Sequence, residues 1–186
     1  MTTLSVFHQD HPEQAHTVTT VASEIRDMLS QHGVRFERWD TRDLPADASP
    51  DDILDAYSQE VEKLKKECGF QTADVVSLNP DNPQKEAFRQ KFLDEHTHSE
   101  DEVRFFVRGN GLFYLHFGDQ VYAILCEQSD LISVPDGTRH WFDMGPEPEF
   151  TCIRLFTNTE GWVAEFTGEE IASTLPRYEA LAGAAG

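Results

Sequence analysis

The second half of the chain is a series of short β-type segments, and this pattern restricts the fold more than any other feature. Apolar, β-branched and aromatic residues fill segments 103–107, 112–117, 121–126, 131–134, 140–144 and 151–156. Turn-forming residues stand between most of them, at 109–111, 118–119, 135–137 and 145–146. Short strands at such even spacing predict an antiparallel β-sandwich or β-barrel.

The first half has mixed helical and strand patterns. Apolar residues between 18 and 29 recur at helical spacing, and residues 34–39 alternate like a strand. Ser49 before Pro50 is typical of a helix start, and one apolar stripe then continues to Gly69. A short strand is predicted at 74–78, and a third helix is predicted after Asn82.

These patterns predict one mainly β domain over residues 1–180, with an antiparallel barrel and flanking α-helices. We predict that residues 1–94 are an α/β part that packs on the barrel and that residues 95–167 are the barrel core. Residues 168–180 are a C-terminal helix. The tail 181–186 has little to bury, so we predict that it is disordered.

The composition excludes several classes of partner. The 186-residue chain has a net charge of −19, which should repel nucleic acids and anionic membranes and favours a monomer. No apolar run reaches the roughly 18 residues of a membrane span, and no signal peptide is visible. Cys68, Cys126 and Cys152 are widely spaced, as in a reducing compartment. We therefore predict a cytoplasmic protein.

The segment HTHSEDE at residues 96–102 carries the strongest chemical signal. Residues two apart on a strand face the same side, so His96 and His98 can bind one metal ion. Glu102 can add an oxygen after a bend, and His140 begins another strand behind a turn. Three imidazoles and one carboxylate suit Fe(II), Ni(II), Mn(II), Co(II) or Zn(II). The pattern therefore predicts one metal ion per chain.

The histidines and acids of this segment also have interpretations other than metal binding. Two histidines at this spacing are, taken alone, more often surface residues than ligands. Glu100 has the same strand parity as Glu102 and competes with it as the carboxylate ligand. His116 lies in the middle of a predicted strand, and we assign it a structural role.

Strand alternation also places an arginine and an aromatic ring beside the metal. Arg104 shares a strand face with Glu102, so we expect its guanidinium to point inward. There it can stabilise an anion as a catalytic group, or form a structural salt bridge. Phe142 shares a face with His140 and is expected to line the substrate pocket.

Three further residues are candidates for the substrate pocket. Phe92 lies on the helix that precedes the metal motif, and Trp162 lies after the last long strand. Both can supply an apolar wall, although aromatic residues near a barrel mouth also serve as core. Arg154 alternates with Ile153 and is expected to face inward, where it can pair with an acid.

The motifs resemble those of the cupin superfamily, which implies a jelly-roll barrel. The motif HxHxxxE with a following Gly is matched by His96, His98, Glu102 and Gly109, and PxGxxH is matched by Pro135, Gly137 and His140. The chain departs from the pattern at Gln90, Ser129 and Met144, where the superfamily has Gly, Gly and Asn. These three positions shape turns, so the departures concern turn geometry.

The resemblance is closest to the acireductone dioxygenase family of the methionine salvage pathway. It covers most of the chain and is most specific in EHTHSEDEVRFFVRGNGLF and VPDGTRHWFDMG. It implies one Fe(II) or Ni(II), no organic cofactor, and O₂ cleavage of 1,2-dihydroxy-3-keto-5-methylthiopentene. The Fe(II) form is expected to give 4-methylthio-2-oxobutanoate and formate. The Ni(II) form is expected to give 3-methylthiopropanoate, formate and CO.

The resemblance also assigns roles to individual residues. It selects Glu102 rather than Glu100 as the ligand, and it gives Arg104 an anionic enediolate to stabilise. Glu95 and Asp101 resemble positions that support the ligands and influence metal loading, while solvated acids on a turn are the alternative. Two rival functions stay open: another cupin enzyme, such as an isomerase or a different dioxygenase, and a non-catalytic metal- or ligand-binding cupin. The native metal stays open as well.

Overall fold

The computed structural model describes residues 1–158 and 163–183. Within them the strands are β1 (Thr3–His8), β2 (His11–Thr19), β3 (Arg35–Arg38), β4 (Thr72–Leu78), β5 (His96–Thr97), β6 (Glu102–Phe117), β7 (Gln120–Glu127), β8 (Asp130–Val134), β9 (Arg139–Asp143), β10 (Phe150–Phe156) and β11 (Glu165–Phe166). The helices are α1 (Ala22–Ser30), α2 (Pro50–Ala56), α3 (Ser58–Cys68), α4 (Lys85–Phe92), α5 (Ile171–Thr174) and α6 (Tyr178–Gly183). None of the described helices is long and apolar enough to cross a membrane.

The strands form two antiparallel sheets that share β6. One sheet has the order β11-β5-β9-β6-β7-β1-β2, and the other has the order β4-β10-β6-β8-β3. The first half of β6 pairs with β8 and β10, and its second half pairs with β7 and β9. The predicted mainly β, antiparallel cupin-type fold is confirmed.

The turn predicted at residues 109–111 is wrong, because β6 continues through this region from one sheet to the other. Gly109 has a φ of 71°, and the pairing of β10 with β6 shifts register nearby. A Cβ at this position would lie 2.7 Å from the Cα of Phe150. The glycine therefore lets the strand bend without ending.

Residues of β6 alternate between two hydrophobic layers, as the sequence predicts. Phe106 lies in the core between the sheets, with residues of β1, β7 and β9. Phe105 points to the other side and packs under Tyr57 and the helices α2 and α3. The start of α2 is confirmed, since Ser49 and Asp52 form a capping box. The single helix predicted to follow is interrupted at Tyr57, where φ is −107° and ψ is 17°.

The two ends of the chain differ most from the prediction. The hairpin of β1 and β2 was not predicted, and Val18 lies in β2 rather than in a helix. In place of one C-terminal helix the structure has α5 and α6, with α6 reaching Gly183. Leu181 packs against the outer apolar layer around Trp141, so residues 181–183 are helical rather than disordered. Residues 184–186 lie outside the described part.

Candidate metal centre

Three histidines meet where β5, β6 and β9 approach one another. His96 on β5 is the pairing partner of His140 on β9. His98 follows β5, and the ligand atoms of the three imidazoles lie within 4.8 Å of one another. All three rings are buried. The structure thus brings together the histidines that the sequence singled out.

Each imidazole uses one nitrogen to contact a backbone carbonyl. The Nδ1 atoms of His96, His98 and His140 lie 2.7 Å from the carbonyl of Asp94, 3.0 Å from that of Val163 and 2.7 Å from that of Thr138, respectively. A carbonyl only accepts hydrogen bonds, so each Nδ1 carries the proton. In a neutral ring of this tautomer the lone pair is on Nε2, which is the atom that can bind a metal ion.

Glu102 completes the donor set at the start of β6. Its Oε2 lies 2.8 Å from Nε2 of His140 and 3.2 Å from Nε2 of His98. Burial disfavours the charged carboxylate, but Arg104 and the two imidazoles outweigh it and hold the pKa of Glu102 well below its usual range. A carboxylate and three imidazole nitrogens on adjacent strands fit a divalent transition-metal ion.

Burial also keeps His96 neutral. Loss of hydration and the nearby His140 lower the pKa of His96 to about 4. Its ring is therefore uncharged near neutral pH, as a metal ligand must be.

A cavity of about 780 Å³ opens beside the three histidines and Glu102. Arg104 lines it, with Nε 2.9 Å from Oε1 of Glu102 and its guanidinium carbon 4.7 Å from the centroid of the Phe142 ring. Phe142 and Phe92 supply apolar wall. The cavity therefore combines ligand atoms, one cation and aromatic surface.

Arg154 also lines this cavity. Its Nε and one terminal nitrogen lie 2.9 Å and 2.6 Å from the carboxylate of Asp74, and its guanidinium lies over the ring of Phe156. The prediction that Arg154 faces inward and pairs with an acid agrees with this position. Trp162, the remaining pocket candidate, lies outside the described residues.

The acids next to the ligands hold the surrounding backbone. Asp101 accepts a hydrogen bond from the backbone N–H of Asp136 at 2.9 Å, which ties it to the turn before His140. The carboxylate of Glu100 accepts a hydrogen bond from the hydroxyl of Thr157 at 2.7 Å. Among the described residues it forms no hydrogen bond or ion pair with the three histidines, in contrast to Glu102.

Glu95 is buried on the opposite face of the strand from His96. Its carboxylate lies 2.6 Å from Nδ1 of His116 and accepts a hydrogen bond from the Thr167 hydroxyl at 2.9 Å. This contact joins the residue before His96 to β6, and a structural role for His116 stays a prediction.

Two parts of the site were missed in the sequence. The Val163 carbonyl orients His98, and the ring of Phe166 lies 5.7 Å from that of His96. Both come from the segment before and within β11, which pairs with β5. A backbone carbonyl leaves no residue-type signal, and Phe166 stands in a stretch with no strand pattern long enough to recognise.

Comparison with known proteins identifies the family. The sequence profile of the ARD/ARD' family matches residues 5–164. The chain belongs to this family. It is 77% identical over 185 residues to an acireductone dioxygenase of Marinobacter nauticus, with 100% of both chains covered. It is 64% identical to an acireductone dioxygenase of Hahella chejuensis, covering 97% of this chain and 98% of the relative.

A solved structure of the same family shares the fold. It is acireductone dioxygenase from Bacillus anthracis with a cadmium ion in its active centre. The TM-score is 0.77 at 29% identity, over 89% of this chain and 98% of the other. The fold of this family member and the histidine cluster described above are thus consistent with a metal-dependent enzyme.

Proposed function

We propose that the chain is an acireductone dioxygenase, which uses O₂ to cleave 1,2-dihydroxy-3-keto-5-methylthiopentene. The observation that carries the proposal is the position of Arg104, in one cavity with three imidazole groups and the Glu102 carboxylate. Family membership over nearly the whole chain supports the substrate.

His96, His98, Glu102 and His140 would hold one metal ion, either Fe(II) or Ni(II). When bound, the ion supplies Lewis acidity and a template for two oxygens of the enediol. With Fe(II) we expect formate and 4-methylthio-2-oxobutanoate, the precursor of methionine. With Ni(II) we expect 3-methylthiopropanoate, formate and CO.

The protein's own contribution begins with charge. The guanidinium of Arg104 stabilises the anionic enediol, and the attraction is strong because the buried cavity has a low dielectric constant. The aromatic faces of Phe142 and Phe92 exclude water from the same side and suit the methylthio end of the substrate. The ion pair between Arg104 and Glu102 holds the guanidinium in position before the substrate enters.

Oxygen uptake tests the proposal directly. The metal-loaded chain is mixed anaerobically with the acireductone, O₂ is added, and its consumption is followed together with the products by NMR. Uptake well above the uncatalysed rate, with formate as a common product of the Fe(II)- and Ni(II)-loaded forms, is the expected result. Uptake at the uncatalysed rate with full metal content would leave a non-catalytic cupin or a different cupin enzyme.

We further infer that the protein is a cytoplasmic monomer in which residues 1–180 are one domain. The net charge of −19 opposes self-association, and the apolar layers on the outer faces of both sheets are covered by the chain's own helices. Light scattering after gel filtration checks the monomer.

A further inference from the structure

A second cavity of about 350 Å³ lies on the outer face of the sheet that carries the histidines. Arg139 lines it, and so does His116, whose neighbour Leu115 is in the core between the sheets. In the pairing of β6 with β9, Leu115 stands opposite His140 and His116 stands opposite Arg139. Successive strand residues face opposite sides, so the two cavities lie back to back across one sheet.

The side chains at this second cavity leave polar groups unused. Nε2 of His116 is buried and has no hydrogen-bond partner in the described part of the chain. The guanidinium of Arg139 likewise makes no hydrogen bond or ion pair with residues 1–158 or 163–183. Arg139 acts on Glu95 only as a nearby charge, the last of the causes that lower the pKa of that carboxyl, and forms no direct contact with it. A buried polar atom without a partner is costly, so a ligand that satisfies it gains affinity.

The Nε2 atom of His116 can take either role in a hydrogen bond. The Glu95 carboxylate only accepts, so Nδ1 of His116 carries a proton whether the ring is neutral or charged. Nε2 is then an acceptor in the neutral ring and a donor in the charged ring. A ligand with both a donor and an acceptor group satisfies it in both states.

The rim of the cavity determines the charge of the ligand. Arg139 offers a planar set of N–H donors that matches a carboxylate. Asp10 and Glu169, both exposed, also line the cavity and repel an ion that carries only negative charge. We propose that the outer cavity binds a small α-amino acid as its zwitterion. Its carboxylate lies on Arg139, and its ammonium group faces Asp10 and Glu169. Nε2 of His116 accepts from the ammonium group when the ring is neutral and donates to the carboxylate when the ring is charged.

The position of the cavity gives the bound amino acid a route to the metal centre. Arg139 directly precedes His140, and Glu95, the partner of His116, directly precedes His96. A ligand that draws Arg139 and His116 together therefore acts on the backbone of two of the proposed metal ligands. The cavity is large enough for a short aliphatic side chain, which would lie against Ile171.

The test uses the full chain loaded with Zn(II), which is diamagnetic, and follows NMR shifts during titration with L-norvaline. Pentanoate and butylamine, which lack the ammonium and the carboxylate respectively, are titrated in parallel. We expect saturable shifts at Arg139, His116 and Thr174 with L-norvaline, and affinities at least about tenfold weaker for the two analogues.

Variants separate this site from chelation of the metal by the amino acid. Arg139→Gln should weaken L-norvaline binding by about tenfold or more, whereas Arg26→Gln, on the exposed face of α1, should leave it unchanged. Arg139 is next to His140, so Arg139→Gln could also disturb the metal centre. The double variant Asp10→Asn, Glu169→Gln changes only exposed residues of the cavity and should weaken binding as well. Absent shifts, equal binding of pentanoate, or binding unaffected by all three substitutions would overturn the proposal.

Discussion

The guanidinium of Arg104 lies over the ring of Phe142, with its central carbon 4.7 Å from the ring centroid. The ring face is the electron-rich side of an aromatic group, so this contact holds the cation in place. Glu102 fixes the same guanidinium from the other direction through Nε, at 2.9 Å. The cation of the site is therefore positioned by a proposed metal ligand and by a wall residue.

Replacing Arg104 with Gln should slow turnover about 10²- to 10³-fold, as expected when a charge that stabilises a developing anion is removed. The metal content per chain should stay near that of the parent protein, because His96, His98, His140 and Glu102 are unchanged. Steady-state O₂ uptake and elemental analysis measure the two quantities. Loss of metal in this variant, with Arg26→Gln retaining it, would show that Arg104 is needed for the structure of the centre.

Gly111 sets the position of the Phe142 ring from the opposite side. A Cβ at residue 111 would lie 2.5 Å from Cε2 of Phe142. The variant Gly111→Ala should therefore displace the ring and cost about 1–3 kcal/mol of unfolding free energy, as overpacked cores do. Its KM for the enediol should rise, since Phe142 lines the cavity. Gly183→Ala, where nothing lies within 4 Å, is the control and should leave urea denaturation and KM unchanged.

The metal site was readable from the sequence because its signals are local. The alternation that puts Glu102, Arg104 and Phe106 on one face of β6 needs only the period of a strand. The turn before His140 is marked by Pro135 and Gly137. The grouping of β5, β6 and β9 around the metal follows from the resemblance to the cupin pattern rather than from any one segment.

The errors arose where local signals have two structural outcomes. Glycine is common in turns and in strand bulges, so Gly109 and Gly111 predicted a turn where β6 bends between two sheets. The apolar residues on either side of Tyr57 keep the same helical spacing through α2 and α3. The sequence pattern therefore does not reveal the break between the two helices. The strand β2 is mostly exposed and lacks the buried alternation that identifies a strand.

Removal of the metal should lower the thermal stability of the protein. An ion held by His96, His98, Glu102 and His140 links β5, β6 and β9 and binds only the folded chain, so it stabilises that state by mass action. Calorimetry before and after treatment with a chelator should show a lower midpoint for the metal-free form, restored when Ni(II) is added back. An unchanged midpoint after complete removal of the metal would contradict a site built from these strands.

His32 should contribute to the loss of stability at mildly acidic pH. Burial lowers the pKa of His32 below 6.5, and its ring stacks on Phe117 with centroids 4.1 Å apart. A lowered pKa in the folded state means that protonation favours the unfolded chain, so this contribution is complete above pH 6.5 and is lost as the pH falls below it. Urea denaturation at about pH 7.5 and about pH 5.5 should therefore show a smaller difference in His32→Gln than in the parent. His16→Gln, at an exposed position, is the matched control.

Arg89 on α4 should be a sensitive position outside the proposed active site. Its guanidinium binds both oxygens of Asp143, at 2.9 and 3.1 Å, and the carboxylate of Glu179 on α6 at 2.9 Å. Asp143 is fully buried, so Arg89→Met leaves an uncompensated charge and should cost about 3–5 kcal/mol of unfolding free energy.

The charge explanation for Arg89 has its own controls. Lys85 lies on the same helix as Arg89 and forms an exposed ion pair with Glu147. Lys85→Met removes this pair and should cost less than about 1 kcal/mol of unfolding free energy in urea denaturation. Adding Asp143→Asn to Arg89→Met removes the orphaned charge. The backbone N–H groups of Gly145 and Tyr178 donate to different oxygens of Asp143, so the single Asn oxygen keeps an acceptor for one of them. The double variant should therefore regain part of the lost stability, because the penalty lies in the unpaired carboxylate rather than in the missing contact. If it is as unstable as Arg89→Met alone, the packing of the arginine stem between α4 and α6 is the larger contribution.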